Sequence, residues 1–544
     1  MDYPWLKHYP EGVPHSIEYP AVGLYQLLKD TASGHPEYLA MTFNEQDTTY
    51  GELNEKVDRF AAVLAGAGIG KGDRVALMLI NSPIYVIAFF ALMKLGAIAV
   101  NLSVGITGAE LAACLNNAGA KMAITLDLFA KNLYRVIKNT CVEKVILHSV
   151  FGMEQKIAVD EGVLPPQVYA DLMAQADAAG GPAAQVSPDD VAVLQHTSGS
   201  TGAPKAAALT HANLLASIYQ SNSWVGAKGA GNKAVVCAIP FFHVFGLSAC
   251  LLISVLKGYR MLLLPRMDAM DILSLSKMLK TYKPISFPAV PSLWRAILSL
   301  SDEEIREYLS SIHVGTSGGA PLPPELYRRY RSVTGSNIVE TYGLSEASSA
   351  THMTPYPEGG PVGSVGVPLA DVQAKIMDLE TGLRECPPGE IGEMVIKGPQ
   401  VMKGYWNDPE LTAAKLRDGW LYTGDLARID QDGFFYLVDR KDDMIISQGF
   451  NVYPGQIEEI LKVHPAVLDA AVVGVDDRLR GQAIVAVIVL KEGAQAKKDE
   501  LMAYCKQHLP DYRVPKTILI RDVIPRDPAG KLLRRVLRQD VREA

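Results

Sequence analysis

The stretch VALMLINSPIYVIAFFALMKLGAIAVN, Val75 to Asn101, decides the fold class. Val75 to Ile80 reads as a buried strand: short, apolar and bounded by a polar residue. Ser82-Pro83 then opens a helix running to about Leu95, because proline in the first helical turn gives up an N–H that has no partner there anyway. Ala97 to Asn101 is a second strand. A strand, a helix and a strand in so short a space make an α/β unit with parallel pairing. Moving outward, Lys121 to Thr125, Lys144 to Leu147 and Met261 to Leu264 also read as strands, and no internal repeat is apparent. The longest apolar run, Ile84 to Val100, is interrupted by Lys94 and Gly96. It stays below the roughly 18 uninterrupted apolar residues that a membrane span needs.

Composition narrows the class further. The chain has 544 residues, 48% apolar and 20% charged, with 52 Lys+Arg against 59 Asp+Glu and a net charge of −7. Values this ordinary exclude a disordered, collagen-like or coiled-coil chain, and the length allows about three or four domain-sized units. A mildly acidic balance gives no electrostatic reason to expect nucleic acid as a partner. Nucleotides or other anions must then be held by local geometry. Six scattered cysteines, with no C-x-x-C pair, read as small core residues of a reducing compartment. The polar, proline-broken N-terminus is not a signal peptide, so a cytoplasmic protein is expected.

The pattern changes along the chain. From about Gly363 to Asp439, turn signals such as Pro387-Pro-Gly389 and Asp432-Gly433 separate short runs like Glu393-Met-Val-Ile-Lys397, expected to alternate in a mostly β subdomain. After Arg440, helical patterns at Gln456 to Val463 and Lys498 to Leu509 surround strands at Ala470 to Val475 and Ala483 to Leu490. The expected organisation is a large N-terminal domain, 1–439, of parallel-rich α/β sheets plus the β subdomain 363–439. A small α+β domain, 440–544, follows the charged run Asp439-Arg-Lys-Asp-Asp443.

The strongest local signal is Thr197-Ser-Gly-Ser-Thr-Gly-Ala-Pro-Lys205, between the strand-like Val191-Ala-Val-Leu194 and a helix expected near Thr210. Gly199 and Gly202 let backbone N–H groups approach a ligand closely. Thr197, Ser198, Ser200 and Thr201 add hydroxyls and Lys205 adds a cation, a set that suits a polyphosphate. The spacing is not that of the Walker P-loop. A Gly/Ser linker is the plainer alternative, though linkers rarely end in Pro-Lys between regular elements.

The remaining motifs are ambiguous one at a time. In Glu340-Thr-Tyr-Gly-Leu-Ser-Glu346, Tyr342 could stack on a base, Ser345 bond a phosphate and Glu346 hold Mg²⁺, which prefers one or two carboxylates plus phosphate oxygens. A Tyr-Gly turn ending a strand reads equally well. Ser317-Gly-Gly-Ala-Pro321 by itself is a tight loop. Asp425 in Tyr422-Thr-Gly-Asp425 matches a ribose diol or a capped turn. Lys531, on the glycine turn Pro525-Arg-Asp-Pro-Ala-Gly-Lys531, is a solvated charge or a catalytic cation. His243, within Pro240-Phe-Phe-His-Val-Phe-Gly246, reads first as a wall residue.

Taken in order, these motifs resemble the AMP-forming acyl-CoA synthetases of the adenylate-forming superfamily. The resemblance covers essentially the whole chain, from Trp5-Leu-Lys-His-Tyr-Pro10 to Lys531-Leu-Leu-Arg-Arg535. Pro240-Phe-Phe-His-Val-Phe-Gly246 and Gly449-Phe-Asn-Val-Tyr-Pro454 make it most similar to the bacterial medium- and long-chain fatty-acid CoA ligases. It implies ATP, Mg²⁺ and coenzyme A acting on a carboxylic acid, in a monomer or homodimer without nucleic acid or a membrane span, with peripheral membrane contact left open. It implies that Ser198 to Lys205 wrap the terminal phosphates. Gly318, Gly319, Ala320 and Pro321, with Tyr342, would hold the adenine, and Thr341 and Gly343 would also contact the nucleotide. Ser345 would contact the α-phosphate, Glu346 the metal, and Asp425 with Arg440 the ribose. Lys531 would stabilise charge during adenylation. His243, Val244, Phe245, Gly246, Leu247 and Ser317 would line the acyl pocket, Gly449 the pantetheine tunnel, and Asp442 would be the pivot of a domain rotation between half-reactions.

The sequence departs from the family pattern at Ala206, where many relatives have glycine, at Ser345 in place of threonine, and at Asp442 in place of the lysine of many long-chain relatives. None removes a required functional group. An aryl or cyclic acid, delivery to a carrier protein instead of CoA, and a non-catalytic nucleotide scaffold are the competing readings.

Overall fold

A computed structural model of the chain describes residues 3–150, 164–176, 181–197, 204–225, 231–265, 272–447, 450–477, 481–526 and 532–543. It divides into two compact units, Met1–Gln373 with Lys397–Leu421, and Ala374–Ile396 with Tyr422–Ala544. Contacts therefore group Ala374–Ile396 and residues 422–439 with the C-terminal unit.

The first unit is built on two large sheets. One has eight strands in the order Gly404–Tyr405, Lys205–Thr210, Val191–Thr197, Ile98–Asn101, Arg74–Met78, Met122–Leu126, Lys144–His148 and Gln167–Val168. All pairings from Val191–Thr197 onward are parallel. The second sheet has nine strands and runs in parallel from Leu39–Phe43 through Arg260–Leu263, Ala234–Cys237, Ser286–Ala289 and Val314–Ser317 to Val339–Leu344. Mixed α/β architecture with parallel-rich sheets is what the opening stretch implies.

That stretch folds as read. Arg74–Met78 and Ile98–Asn101 are parallel neighbours joined by the helix Pro83–Leu95. Every residue from Ile84 to Leu95 is buried, so the helix has no polar stripe and lies inside the unit rather than on its surface. Lys94 is buried with it and lies 2.6 Å from the Asp58 carboxylate, a pairing that offsets the cost of burying an ammonium. Gly96 ends the helix in the left-handed region at φ +64°. No helix of the described residues is long and apolar enough to cross a membrane.

The C-terminal unit contains the sheet Phe450–Val452, Ile445–Ser447, Gly481–Leu490 and Val467–Asp477, with Thr517–Ile520 parallel to Gly481–Leu490. The helices Pro454–Val463 and Lys498–His508 cover one face of it. Their shared core includes Ile457, Leu461, Val472, Ala486, Ile488, Leu501 and Cys505.

Three local expectations need correcting. The Thr197–Lys205 segment follows a strand and the helix starts at His211, where expected, but a strand that was not expected, Lys205–Thr210, stands between them. The segment closes an antiparallel hairpin in which Thr197 pairs with Lys205 and His196 with Ala206. The run Glu393 to Lys397 does not alternate: Gly392 to Ile396 are all buried, leaving only Lys397 exposed. Cys141 is exposed, whereas the other five cysteines are buried, and all six are free thiols.

Candidate active site

In the first unit the candidate residues gather at the carboxyl ends of the parallel strands, where open α/β sheets bind ligands. The hairpin strands Val191–Thr197 and Lys205–Thr210 carry the two ends of the Thr197–Lys205 motif. Ser198, Gly199, Ser200, Thr201 and Gly202 lie outside the described residues. The return strand also pairs with Gly404–Tyr405, and the turn Ser345–Ala347 packs against both hairpin strands. Tyr405 donates its hydroxyl to Glu346 Oε1 at 2.8 Å, and Met402 N–H donates to the Glu346 carbonyl at 2.8 Å. Sequence reasoning missed Tyr405, whose pairing with position 346 is invisible locally.

The Ser317–Pro321 loop follows the strand Val314–Ser317. Gly319 sits at φ +81°, in the left-handed region that favours glycine. At Gly318, a β-carbon would lie 2.5 Å from Thr341 Oγ1 and 3.2 Å from the Phe245 ring. The backbone here therefore runs between a wall residue and the Tyr342 strand, with no room for a side chain. Leu322 N–H, just past Pro321, donates to Glu340 Oε1 at 3.2 Å and ties the loop to the start of the Glu340–Glu346 motif. Burial pushes the Glu340 carboxyl up to about 8, so it is mostly a neutral acid near pH 7. Tyr342 is buried and meets His352 edge-on, with ring centroids 5.6 Å apart. Ser317 Oγ is fully buried and has no hydrogen-bond partner among the described residues.

The wall turn is tightly wound. Phe245 N–H donates to His243 Nδ1 at 3.2 Å, and Leu247 N–H to the His243 carbonyl at 2.9 Å. A neutral His243 therefore carries its proton on Nε2. Val244, Phe245, Gly246 and Leu247 are buried. A β-carbon on Gly246 would lie 2.2 Å from the Pro240 carbonyl oxygen. A π-helical segment, Gly246–Leu252, follows. The structure thus brings together Phe245, Gly318 and Thr341, which the sequence assigns to different motifs.

The second unit holds a different kind of site. Asp425 and Arg440 face each other across antiparallel strands, with Arg440 Nη1 2.5 Å from Asp425 Oδ1. Next to them Glu393 accepts from Gly424 N–H at 3.0 Å and from Lys441 Nζ at 2.7 Å. Asp439 accepts from the N–H groups of Arg440 and Gly455 at 2.8 and 2.7 Å. Burial raises its carboxyl to about 6 against the opposing pull of Arg534. Asp442 lies in the short turn Lys441–Asp443. Gly449 and Lys531 lie outside the described residues.

Glu346 suits a magnesium ion, which takes few protein carboxylates and completes its shell with phosphate oxygens and water. Among the described residues no group of three or more His, Cys, Asp or Glu could hold a metal by itself.

Residues 28–406 match the AMP-binding enzyme family, and residues 456–531 match the AMP-binding enzyme C-terminal domain. The chain belongs to the AMP-binding enzymes. A long-chain-fatty-acid–CoA ligase of Bacillus subtilis (strain 168) is 38% identical, over 99% of this chain and 98% of its own length. A feruloyl-CoA synthase of Amycolatopsis sp. is 35% identical, over 93% of this chain and 96% of its own length. The ATP-bound structure of MatB from Rhodopseudomonas palustris is similar with a TM-score of 0.84 at 28% identity, covering 96% of this chain and 99% of that one.

Proposed function

We propose that this chain is an ATP-dependent carboxylic acid–CoA ligase acting on medium- and long-chain fatty acids. A carboxylate attacks the α-phosphate of ATP to give acyl-AMP and pyrophosphate, and CoA thiol then displaces AMP to give the thioester. The observation that carries the reading is Glu346, oriented by Tyr405 against the hairpin that bears the phosphate loop. The similarity to a long-chain-fatty-acid–CoA ligase along 99% of the chain supports the choice of acid.

Each residue then has a chemical task. Ser198 to Lys205 hold the terminal phosphates, and Ser345 bonds the α-phosphate. Glu346 would hold Mg²⁺, which would neutralise phosphate charge. The Gly318–Pro321 loop and Tyr342 hold the adenine, while Asp425, held by Arg440, accepts hydrogen bonds from the ribose hydroxyls. Lys531 places a cation where negative charge develops during adenylation. The C-terminal domain turns about Asp442 between the half-reactions, after which Gly449 gives the thiol its path. His243 to Leu247 and Ser317 bound an apolar acyl pocket. The enzyme works in the cytoplasm as a monomer or homodimer.

An aryl acid is the second reading, favoured by the similarity to a feruloyl-CoA synthase. Acid-dependent exchange of labelled pyrophosphate into ATP, followed by CoA-dependent AMP release, tests both across a panel of acids. Exchange with fatty acids supports the first reading. A preference of about tenfold for an aromatic acid, about 1.4 kcal/mol, favours the second. No exchange with any acid sinks both.

A further inference from the structure

A chain of buried amides joins the phosphate-loop strand to the wall turn, and the reaction scheme above leaves it unused. Gln195 stands two residues before Thr197, and its Nε2 donates to the Phe242 carbonyl at 2.8 Å. Its Oε1 accepts from Asn101 Nδ2 at 3.3 Å. Asn101 Oδ1 lies 2.8 Å from the Tyr85 hydroxyl, which is also 2.8 Å from the Phe241 carbonyl oxygen. Asn81 completes the cradle. Its Nδ2 donates to the carbonyls of Cys237 and Ile239, both at 2.9 Å, and its Oδ1 accepts from Phe241 N–H at 2.8 Å. Asn81, Tyr85, Asn101 and Gln195 are all buried.

The direction of this chain is set by chemistry. The Phe242 carbonyl can only accept, so Gln195 must turn its NH₂ toward it and its oxygen toward Asn101. Asn101 must then donate to Gln195 and present its own oxygen to Tyr85. The single Tyr85 proton serves two acceptors, Asn101 and Phe241. No amide can flip without setting two oxygens against each other. Asn101 and Gln195 lie near the ends of two strands, Tyr85 in the first turn of the Pro83–Leu95 helix and Asn81 in the turn just before it, and together they grip the turn that follows the Ala234–Cys237 strand of the other sheet. They fasten the two sheets of the first unit to one another at their ligand-binding ends.

We infer that Gln195 is a positioning residue, which sets the Phe242–Leu247 wall in register with the phosphate-loop hairpin so that the acid meets the nucleotide correctly. This rests on the proposed acid-activating reaction, and its test includes a readout that does not. Gln195→Met keeps the length and volume but removes both hydrogen bonds. Gln195→Glu in its protonated form can still donate to Phe242 and accept from Asn101. Once ionised, it sets a negative oxygen against the carbonyl.

In the full-length protein, Gln195→Met is expected to lower kcat/KM for the acid in pyrophosphate exchange by about 10- to 100-fold, the range for leaving buried polar groups unpaired. Gln195→Glu should match it near about pH 9 and recover at least about fivefold toward about pH 6, relative to wild type at the same pH. Recovery with protons ties the loss to the hydrogen bond on the Phe242 carbonyl rather than to a change of side-chain volume. Independently of activity, hydrogen exchange of segment 241–247 should quicken in Gln195→Met, with the Pro83–Leu95 helix unchanged. Wild-type protein without acid-dependent exchange would overturn the reaction scheme, while the amide measurement still reads the clamp. An active wild type with Gln195→Met within about twofold of it, a Glu variant that follows Met at both pH values, or unchanged amide exchange would overturn the inference.

Discussion

The two units hold their candidate ligand groups by different physics. In the first, the frame is made mostly of amides, hydroxyls and close-packed glycines around the carboxyl groups of Glu346 and Glu340, with Lys205 the cation at the hairpin. In the second, Asp425 and Glu393 are each paired with a cation, Arg440 and Lys441 respectively. Neutral hydrogen bonds in a buried site hold geometry with little sensitivity to salt. Ion pairs open to solvent on one side weaken as ionic strength rises. The difference teaches that the candidate site of the first unit is held by groups insensitive to salt, whereas that of the second is held by charges that salt can loosen.

The largest effects should break this contrast outright. Lys531→Ala is expected to slow adenylation by at least about 10²-fold, the usual loss for one charge-stabilising group, yet spare thioester formation from supplied acyl-AMP. Gly449→Leu should do the reverse. Separate assays of pyrophosphate release and CoA consumption check both, and loss of the same half-reaction in both variants would refute the alternation.

Next in size is Gly318→Val, whose side chain has no space between Thr341 Oγ1 and the Phe245 ring. It should cost about 1–3 kcal/mol in thermal or denaturant unfolding and raise the KM for both acid and ATP. Wild-type values for all three would show that the loop yields. Asp425→Asn should raise the KM for ATP by about five- to tenfold, because the ribose would lose a charged acceptor. Arg440 is 45% exposed at its side chain, so water relieves its lost pairing and unfolding should barely shift.

The smallest effect concerns Glu340. Its carboxyl titrates near 4.5 when unconstrained and at about 8 in the fold. The unfolded chain therefore releases this proton first, and the group's stabilising contribution, full below about 4.5, is lost as pH climbs toward about 8. Melting temperature measured over that window should fall less steeply in Glu340→Gln. Identical slopes would place the acid in a more polar environment than its burial implies.

Much of this was legible in the residues. The helix Pro83–Leu95 begins at the proline that marks it and ends at Gly96. Its neighbouring strands fall within a residue or two of the expected positions at most ends. The chemistry of the motifs was legible too, since hydroxyls, glycines and a lysine in one short run suit phosphate in any setting. The hairpin at Thr197–Lys205 was not, because Lys205 to Thr210 is a lysine, three alanines, a leucine and a threonine, with no strong strand signature. Its strand character comes from pairing on both sides, with Val191–Thr197 and Gly404–Tyr405. Gln195 gave a faint signal as a polar residue ending an apolar run, but nothing nearby in sequence says what it bonds.

Local pattern by itself determined the succession of strands and helices, the short runs able to hold a nucleotide, and the family the chain resembles. Near neighbours control backbone preference and turn chemistry, so these properties survive reading one window at a time. Tertiary structure alone decided that Tyr405 orients Glu346, that Gly318 runs beneath Phe245, and that Gln195 reaches Phe242. The two hydrogen bonds among these join residues 59 and 47 positions apart, and such partners are chosen by burial and sheet pairing across the whole unit.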